Sequence, residues 1–145
     1  MEAPKEQIDA FFHAYEANYN AALEGKDIDL HETMNCFSEQ FIESSPVSII
    51  CAKNDDTFRE NILKGFAFYK KIGTTCMIIQ HKEVTQLDDH HAMVKVHWKA
   101  NYGKGEQGEM MEFDVFYFLR LTDGIRIFAY ITGDEQQLLK AHGLV

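Results

Sequence analysis

Apart from a short stretch at residues 40–52, the apolar residues up to Lys71 recur every three or four positions, and from Thr74 to Gly133 they recur at every second one. That single change of period commits the chain to helices first and extended strands after. A strand series with one covered face cannot stay open to water, so the early helices must lie on it. The resulting class is α+β, with helices gathered on one side of an antiparallel sheet. No internal repeat or linker divides residues 1–145, which are expected to form one domain.

The first helical stripe is Ile8, Phe11, Phe12, Tyr15, Tyr19 and Ala22, with Asp9, His13, Glu16 and Asn20 on the opposite, polar side. Gly25 suits its C-terminal cap. A second helix is expected over residues 27–37, turning Leu30, Met34 and Phe37 inward. One or two short strands follow over residues 40–52, interrupted at Pro46. Thr57-Phe58-Arg59-Glu60 fits a capping box for a third helix, whose stripe is Phe58, Ile62, Phe66 and Tyr69 and whose stop is Gly73. Four long strands then run as a meander over 74–87, 92–102, 109–121 and 125–133. Asp88-Asp89-His90-His91, the glycine-rich 103–108 and Thr122-Asp123-Gly124 are its turns. A short helix over 134–145 is expected to pack on the sheet edge.

Charge and cysteine usage remove several functions. A net charge of −9 without a lysine or arginine cluster argues against nucleic acid and against anionic lipid. Cys36, Cys51 and Cys76 lie far apart with no paired spacing, and read as free thiols of a reducing compartment. The N-terminus lacks a basic and apolar leader, and no run approaches the ~18 apolar residues of a membrane span. A cytoplasmic location is the expectation. Eleven Phe and six Tyr foretell a bulky core, an aromatic-lined cavity, or both.

The strand faces raise the functional question. In 92–102, Val94, Val96 and Trp98 alternate with Lys95, His97 and Lys99, so one face is covered and one is wet. In 109–121 both faces are apolar: Phe113, Val115, Tyr117 and Leu119 on one, Phe116 and Phe118 beside Asp114 on the other. Two apolar faces call for a second cover, and a homodimer packed through the outer sheet face is the simplest. Asp114 among aromatics leaves three readings open. It looks into a cavity near Tyr19, where burial keeps it protonated; it is bonded structurally to a helix tyrosine or backbone; or it sits in water.

Three helices followed by a curved antiparallel sheet ending in LTDGIRIFAYITGDE resemble, over nearly the whole chain, the nuclear transport factor 2-like superfamily. Ketosteroid isomerases, polyketide cyclases, scytalone dehydratases and many uncharacterised bacterial proteins share that cone-shaped fold. The resemblance implies a ligand hollow between the long helix and the concave sheet. It also implies an oxygen-holding pair on the ketosteroid isomerase pattern. Tyr19 stands eight residues before Asp27, as the tyrosine of that pattern does, and Asp114 stands fifteen before Ala129-Tyr130. The pattern's general base precedes a proline, where this chain has Ser45; Glu43, two residues earlier, points to the same side of a strand and is the displaced candidate.

Other motifs carry less. His31-Glu32 lacks the second histidine of a zinc protease helix, and Asp88-Asp89-His90-His91 reads as a solvated turn before a metal site. Residues 103–108 join two strands and open no helix, so they are no phosphate loop. No triad follows from Ser44, Ser45 or Cys51. His13 and His97 are expected to be exposed. Trp98 is core or cavity wall.

The expectation is therefore a binder of a small, largely apolar carbonyl compound, with possible isomerase, dehydratase or cyclase chemistry and neither metal nor cofactor. Tyr19, Asp114 and Glu43 are its catalytic candidates, and Tyr15, Trp98, Phe116 and Ser45 line the pocket. The alternatives are a non-catalytic dimerisation or assembly module whose cone is plugged by aromatics, and a carrier in which Glu43 turns outward.

Overall fold

A computed structural model describes residues 5–103, 109–141 and 143. Residues 1–4, most of the glycine-rich turn expected over 103–108, and 142, 144 and 145 of the expected last helix lie outside the described residues. In chain order the elements are α1 (Lys5–Leu23), α2 (Leu30–Met34), β1 (Phe37–Ser44), β2 (Ile49–Lys53) and α3 (Asp56–Lys71). Then come β3 (Thr74–Asp88), β4 (His91–Tyr102), β5 (Glu109–Arg120), β6 (Arg126–Ile131) and α4 (Glu135–Ala141). No described helix is long and apolar enough to cross a membrane.

The strands form one curved sheet in the order β2-β1-β6-β5-β4-β3. The expected meander β3 to β6 is antiparallel throughout. Hairpin β1–β2 is antiparallel within itself, but β1 joins β6 in parallel. Register shifts between β3 and β4, at Thr74/Cys76, Ile79/His81 and Gln86/Asp88, add residues to one strand and bend the pair. That bending curls the sheet into a cone wall. At the β5–β6 hairpin Asp123 and Gly124 take φ of 58° and 95°, the left-handed pair that suits a tight turn. Gly73 takes φ of 89°, and a Cβ there would lie tightly, 3.3 Å, against the backbone nitrogen of Gly103.

Two helix limits differ from the sequence expectation. α2 is only Leu30–Met34, capped by Asp29, which accepts from the His31 N–H at 2.9 Å. Phe37 still faces inward, but from β1, because Asn35 and Cys36 close the helix a turn earlier. α3 starts from Asp55, whose carboxylate accepts from the Phe58 N–H at 3.1 Å, so the cap lies ahead of Thr57.

The concave face carries the core. Val94, Val96, Trp98 and Ala100 of β4 stand opposite Tyr117, Val115, Phe113 and Met111 of β5, and α1 lies on them through Ile8, Phe12 and Tyr15. What fixes α1 in place is polar. Asn20 Nδ2 donates to the Met77 carbonyl at 2.7 Å, and the Met77 N–H donates back to Asn20 Oδ1 at 2.7 Å. One turn earlier, a Glu16 carboxylate oxygen accepts from the Ile79 N–H. Met77 and Ile79 belong to β3, the edge strand, whose outward backbone groups would otherwise lack a ladder partner. The residues expected on the wet side of α1 thus complete the sheet edge.

Replacing Asn20 by Ala leaves one N–H and one C=O of the edge strand unpaired. The expected loss is about 1–3 kcal/mol of folding free energy, read from urea denaturation. Hydrogen exchange should speed first at the Met77 amide; unchanged protection there would contradict the edge-clamp role.

Candidate functional site

The cone is hollow. A chamber of about 260 Å³ is walled by Tyr15 and Tyr19 of α1, Tyr69 of α3, Met77 of β3, Trp98 of β4, Phe113, Val115 and Tyr117 of β5, and Tyr130 of β6. Glu43 of β1 enters from one side, and Asp134, Glu135 and Leu138 close it at the start of α4. A second space of about 600 Å³ continues toward α3 and β2 and shares Tyr15, Tyr19, Glu43 and Tyr130 with the first. Alternation explains why these residues meet. Glu43 pairs with Tyr130 across β1–β6, Tyr130 with Tyr117 across β6–β5, and Trp98 with Phe113 across β5–β4, so all share the concave face.

The polar groups form two separate units. On one side the Tyr130 hydroxyl bonds to Glu43. On the other, Tyr69 donates to Glu135, and Tyr19 bonds to Tyr69, giving a chain Tyr19–Tyr69–Glu135. Between them Trp98 Nε1–H donates to the Tyr117 hydroxyl at 3.2 Å, and Tyr15 bonds to that same hydroxyl.

Burial raises every one of these phenols above its ordinary value, so all five hold their protons at neutral pH. Glu135 is raised too, first by burial and further by the negative charge of Glu43, while the bond from Tyr69 pulls the other way.

The sequence-selected residues divide. Tyr15, Tyr19, Glu43 and Trp98 line the chamber together. Asp114 does not join them. It lies on the convex face, opposite His97, whose Nδ1 is 2.7 Å from its carboxylate, while His97 Nε2 is 2.9 Å from Glu112. Phe116 shares that face, with the Lys95 ammonium 5.8 Å from its ring centroid. The sheet turns Phe113, Val115 and Tyr117 into the cone, so Asp114 and Phe116 must point out. His97, expected in water, is half-buried between its two acids and stacked on His81, and the acids raise its pKa, Glu112 before Asp114.

Ser45 is also outside the chamber. It belongs to the β1–β2 turn, where its N–H donates to the Ser48 carbonyl at 2.9 Å. Asp88 is a turn former, accepting from the His90 N–H at 2.8 Å. Among the described residues no three His, Cys, Asp or Glu side chains converge so as to hold a metal ion.

Sequence reasoning missed Glu135, Tyr69, Tyr117 and Tyr130 as site residues. Tyr69 and Tyr130 had been placed, one on the stripe of α3 and one in the Ala129-Tyr130 pair. Glu135 gave only the signal of an acid opening a short helix, which is an ordinary helix start.

Comparison with known proteins follows the same outline. A family model described as NTF2-like protein (DUF6841) matches residues 5–135. None of the curated proteins matches the chain. Among solved structures, an NTF2-like protein of unknown function from Shewanella oneidensis superposes with a TM-score of 0.67 at 18% identity, covering 91% of this chain and 100% of that one. An NTF2-like protein with a cystatin-like fold from Novosphingobium aromaticivorans gives 0.69 at 13% identity, over 97% and 88%. A ketosteroid isomerase-like protein from Erwinia carotovora gives 0.62 at 20% identity, over 88% and 93%. Likeness at these identities establishes the fold.

Glu135 also supplies a test in solution. Its folded pKa lies above the ordinary 4.5, so above that value the native protein holds a proton that the unfolded chain has lost. Stability therefore falls as pH rises through that window, and the charge works against folding at neutral pH. Glu135→Gln should raise the melting temperature at pH 7, with the gain vanishing below about pH 4, where both states are protonated. A gain independent of pH would show that burial does not raise the Glu135 pKa.

Proposed function

This chain belongs to the NTF2-like protein (DUF6841) family, and we propose that its cone binds a small, largely apolar carbonyl compound and moves a proton on it with side chains alone. The observation that carries the reading is one pocket lined by both Glu43 and the Tyr19–Tyr69–Glu135 chain. Proton transfer next to a carbonyl needs a base and a set of donors for the oxygen that becomes negative. Glu43 is the base: it takes the proton from the carbon beside the carbonyl, and the C–H electrons move into the enolate. The protonated fraction of Glu135, which its raised pKa enlarges, donates to the enolate oxygen together with the tyrosines beside it. Return of the proton to a different carbon of an unsaturated ketone isomerises it; with a β-hydroxyl, Glu43 returns the proton to that oxygen, which leaves as water as the enolate electrons form the new C=C bond.

Asp114 has no part in this scheme, and Glu135 takes the role the resemblance gave to it. A buried carboxyl kept neutral serves as a hydrogen-bond donor whichever strand or helix supplies it. The two chambers leave the cone unplugged by its own aromatics, which favours a ligand over a purely structural module. Conversion of cyclohex-3-en-1-one to its conjugated isomer, followed by ultraviolet absorbance, tests the chemistry. The wild-type protein should accelerate it over buffer, and Glu43→Gln should lower kcat by about 10²–10⁴-fold. A rate that Glu43→Gln leaves unchanged removes Glu43 as the base.

We propose in addition that the convex face packs on a second copy of the chain. Phe116, Phe118 and Phe128 lie there half-exposed beside the exposed Ile42 and Ile131, outside the helix-covered side. Lys95 and Lys99 alternate there with Glu112 and Asp114, so two such faces complement each other in charge. Light scattering after size exclusion should give a dimer mass for the wild type and a folded monomer for Phe118→Glu. A monomeric wild type at micromolar concentration would refute the assembly.

A further inference from the structure

We propose that Gly65 holds open the second chamber of the cone, and that this chamber takes the apolar tail of an elongated, neutral ligand whose carbonyl end lies between Glu43 and Glu135. This rests on the reading of the smaller chamber given above. The starting point is a residue the fold does not explain. Gly65 sits in the middle of α3, where a glycine weakens a helix relative to almost any other residue. Glycine is usually retained in such a place for a left-handed backbone or for a close approach. Neither applies: Gly65 is not among the positive-φ residues, and a Cβ built on it meets nothing within 4 Å.

What lies in front of it is the 600 Å³ space. Phe58, Asn61, Ile62, Gly65 and Phe66 line that space at the three- and four-residue spacing of one helix face, so a side chain at 65 would be directed into it. Opposite stand Phe37, Phe41 and Ile50 of the β1–β2 hairpin, so an apolar strip faces Gly65, while Lys53, Asp55 and Asn61 also line the space. The two chambers meet at Tyr15, Tyr19, Glu43 and Tyr130. The base therefore stands at the junction, and a molecule with its oxygen on the Glu135 side continues past Glu43 into the larger space. Among the described residues lining the smaller chamber, three are acidic and none is Lys, Arg or His. An anionic head group is repelled there, which leaves a neutral one.

The probes are straight-chain methyl ketones, 2-pentanone and 2-decanone, and the reporter is Trp98, the chain's one tryptophan and a wall of the smaller chamber. For the wild type, affinity should climb by up to about fourfold for each added methylene as the tail enters the second chamber. Gly65→Leu puts a good helix former at an open position, so its thermal unfolding midpoint should not fall. It should bind 2-pentanone as the wild type does and lose at least tenfold in affinity for 2-decanone. If Gly65→Leu binds 2-decanone as tightly as the wild type, the second-chamber assignment is wrong while the smaller site stands. If neither ketone changes Trp98 fluorescence or gives heat on titration in the wild type, the binding reading of both chambers fails together.

Discussion

The two-way bond between Asn20 and the Met77 backbone is what lets this sheet be both curved and hollow. A helix held to a sheet only by apolar contact must fill the space between them, because packing attraction fades within a fraction of an ångström. Here α1 is pinned at the edge strand by directional bonds from Asn20 and Glu16, and by packing at Ile8 and Phe12. Between those supports Tyr15 reaches Trp98 and Tyr117 of the sheet, and Tyr19 reaches Tyr69 of α3. The same bonds close an edge that would otherwise invite another strand.

That hollow dictates the electrostatics. Tyr15, Tyr19, Tyr69, Tyr117 and Tyr130 all line this hollow, and each of their hydroxyls is buried. Each phenol stays protonated and finds a partner, so the ring of hydroxyls is satisfied without a cation. The two glutamates are the groups left in tension. Burial first, and the nearby Glu43 charge after it, raise the Glu135 pKa against the bond from Tyr69, so its ionisation costs folding free energy. On the convex face His97 meets Glu112 and Asp114 with the opposite outcome: open to water on one side, they form an ordinary histidine–carboxylate cluster.

Much of the fold was legible because it is periodic. The stripe of α1, the stripe of α3 and the alternation of β4 and β5 each state which residues share a face. Tyr15, Tyr19 and Trp98 stand on those faces, Glu43 came from the family resemblance, and all four do line one pocket. Asp114 was assigned to the correct face of β5, with Phe116 and Phe118, and to the wrong side of the sheet. Both faces of that strand are apolar, and alternation by itself does not say which of two apolar faces looks into the cone. Glu16 and Asn20 were read as solvent-facing because their partners are backbone atoms of β3, which leave no mark in a side-chain pattern.

The sequence by itself therefore determined the order of helices and strands, the α+β class and the pairs of residues that travel together. These depend on local geometry, 3.6 residues per turn or two per pleat, and are written in neighbouring positions. Only the tertiary structure decided which β5 face lines the cavity, how Glu135 comes to oppose Glu43, and why Gly65 borders open space. Each depends on the curvature of the sheet and on contacts between residues far apart in the chain. No spacing encodes them, because the bulges that set the curvature and the helix clamp that holds it act through backbone atoms common to every residue.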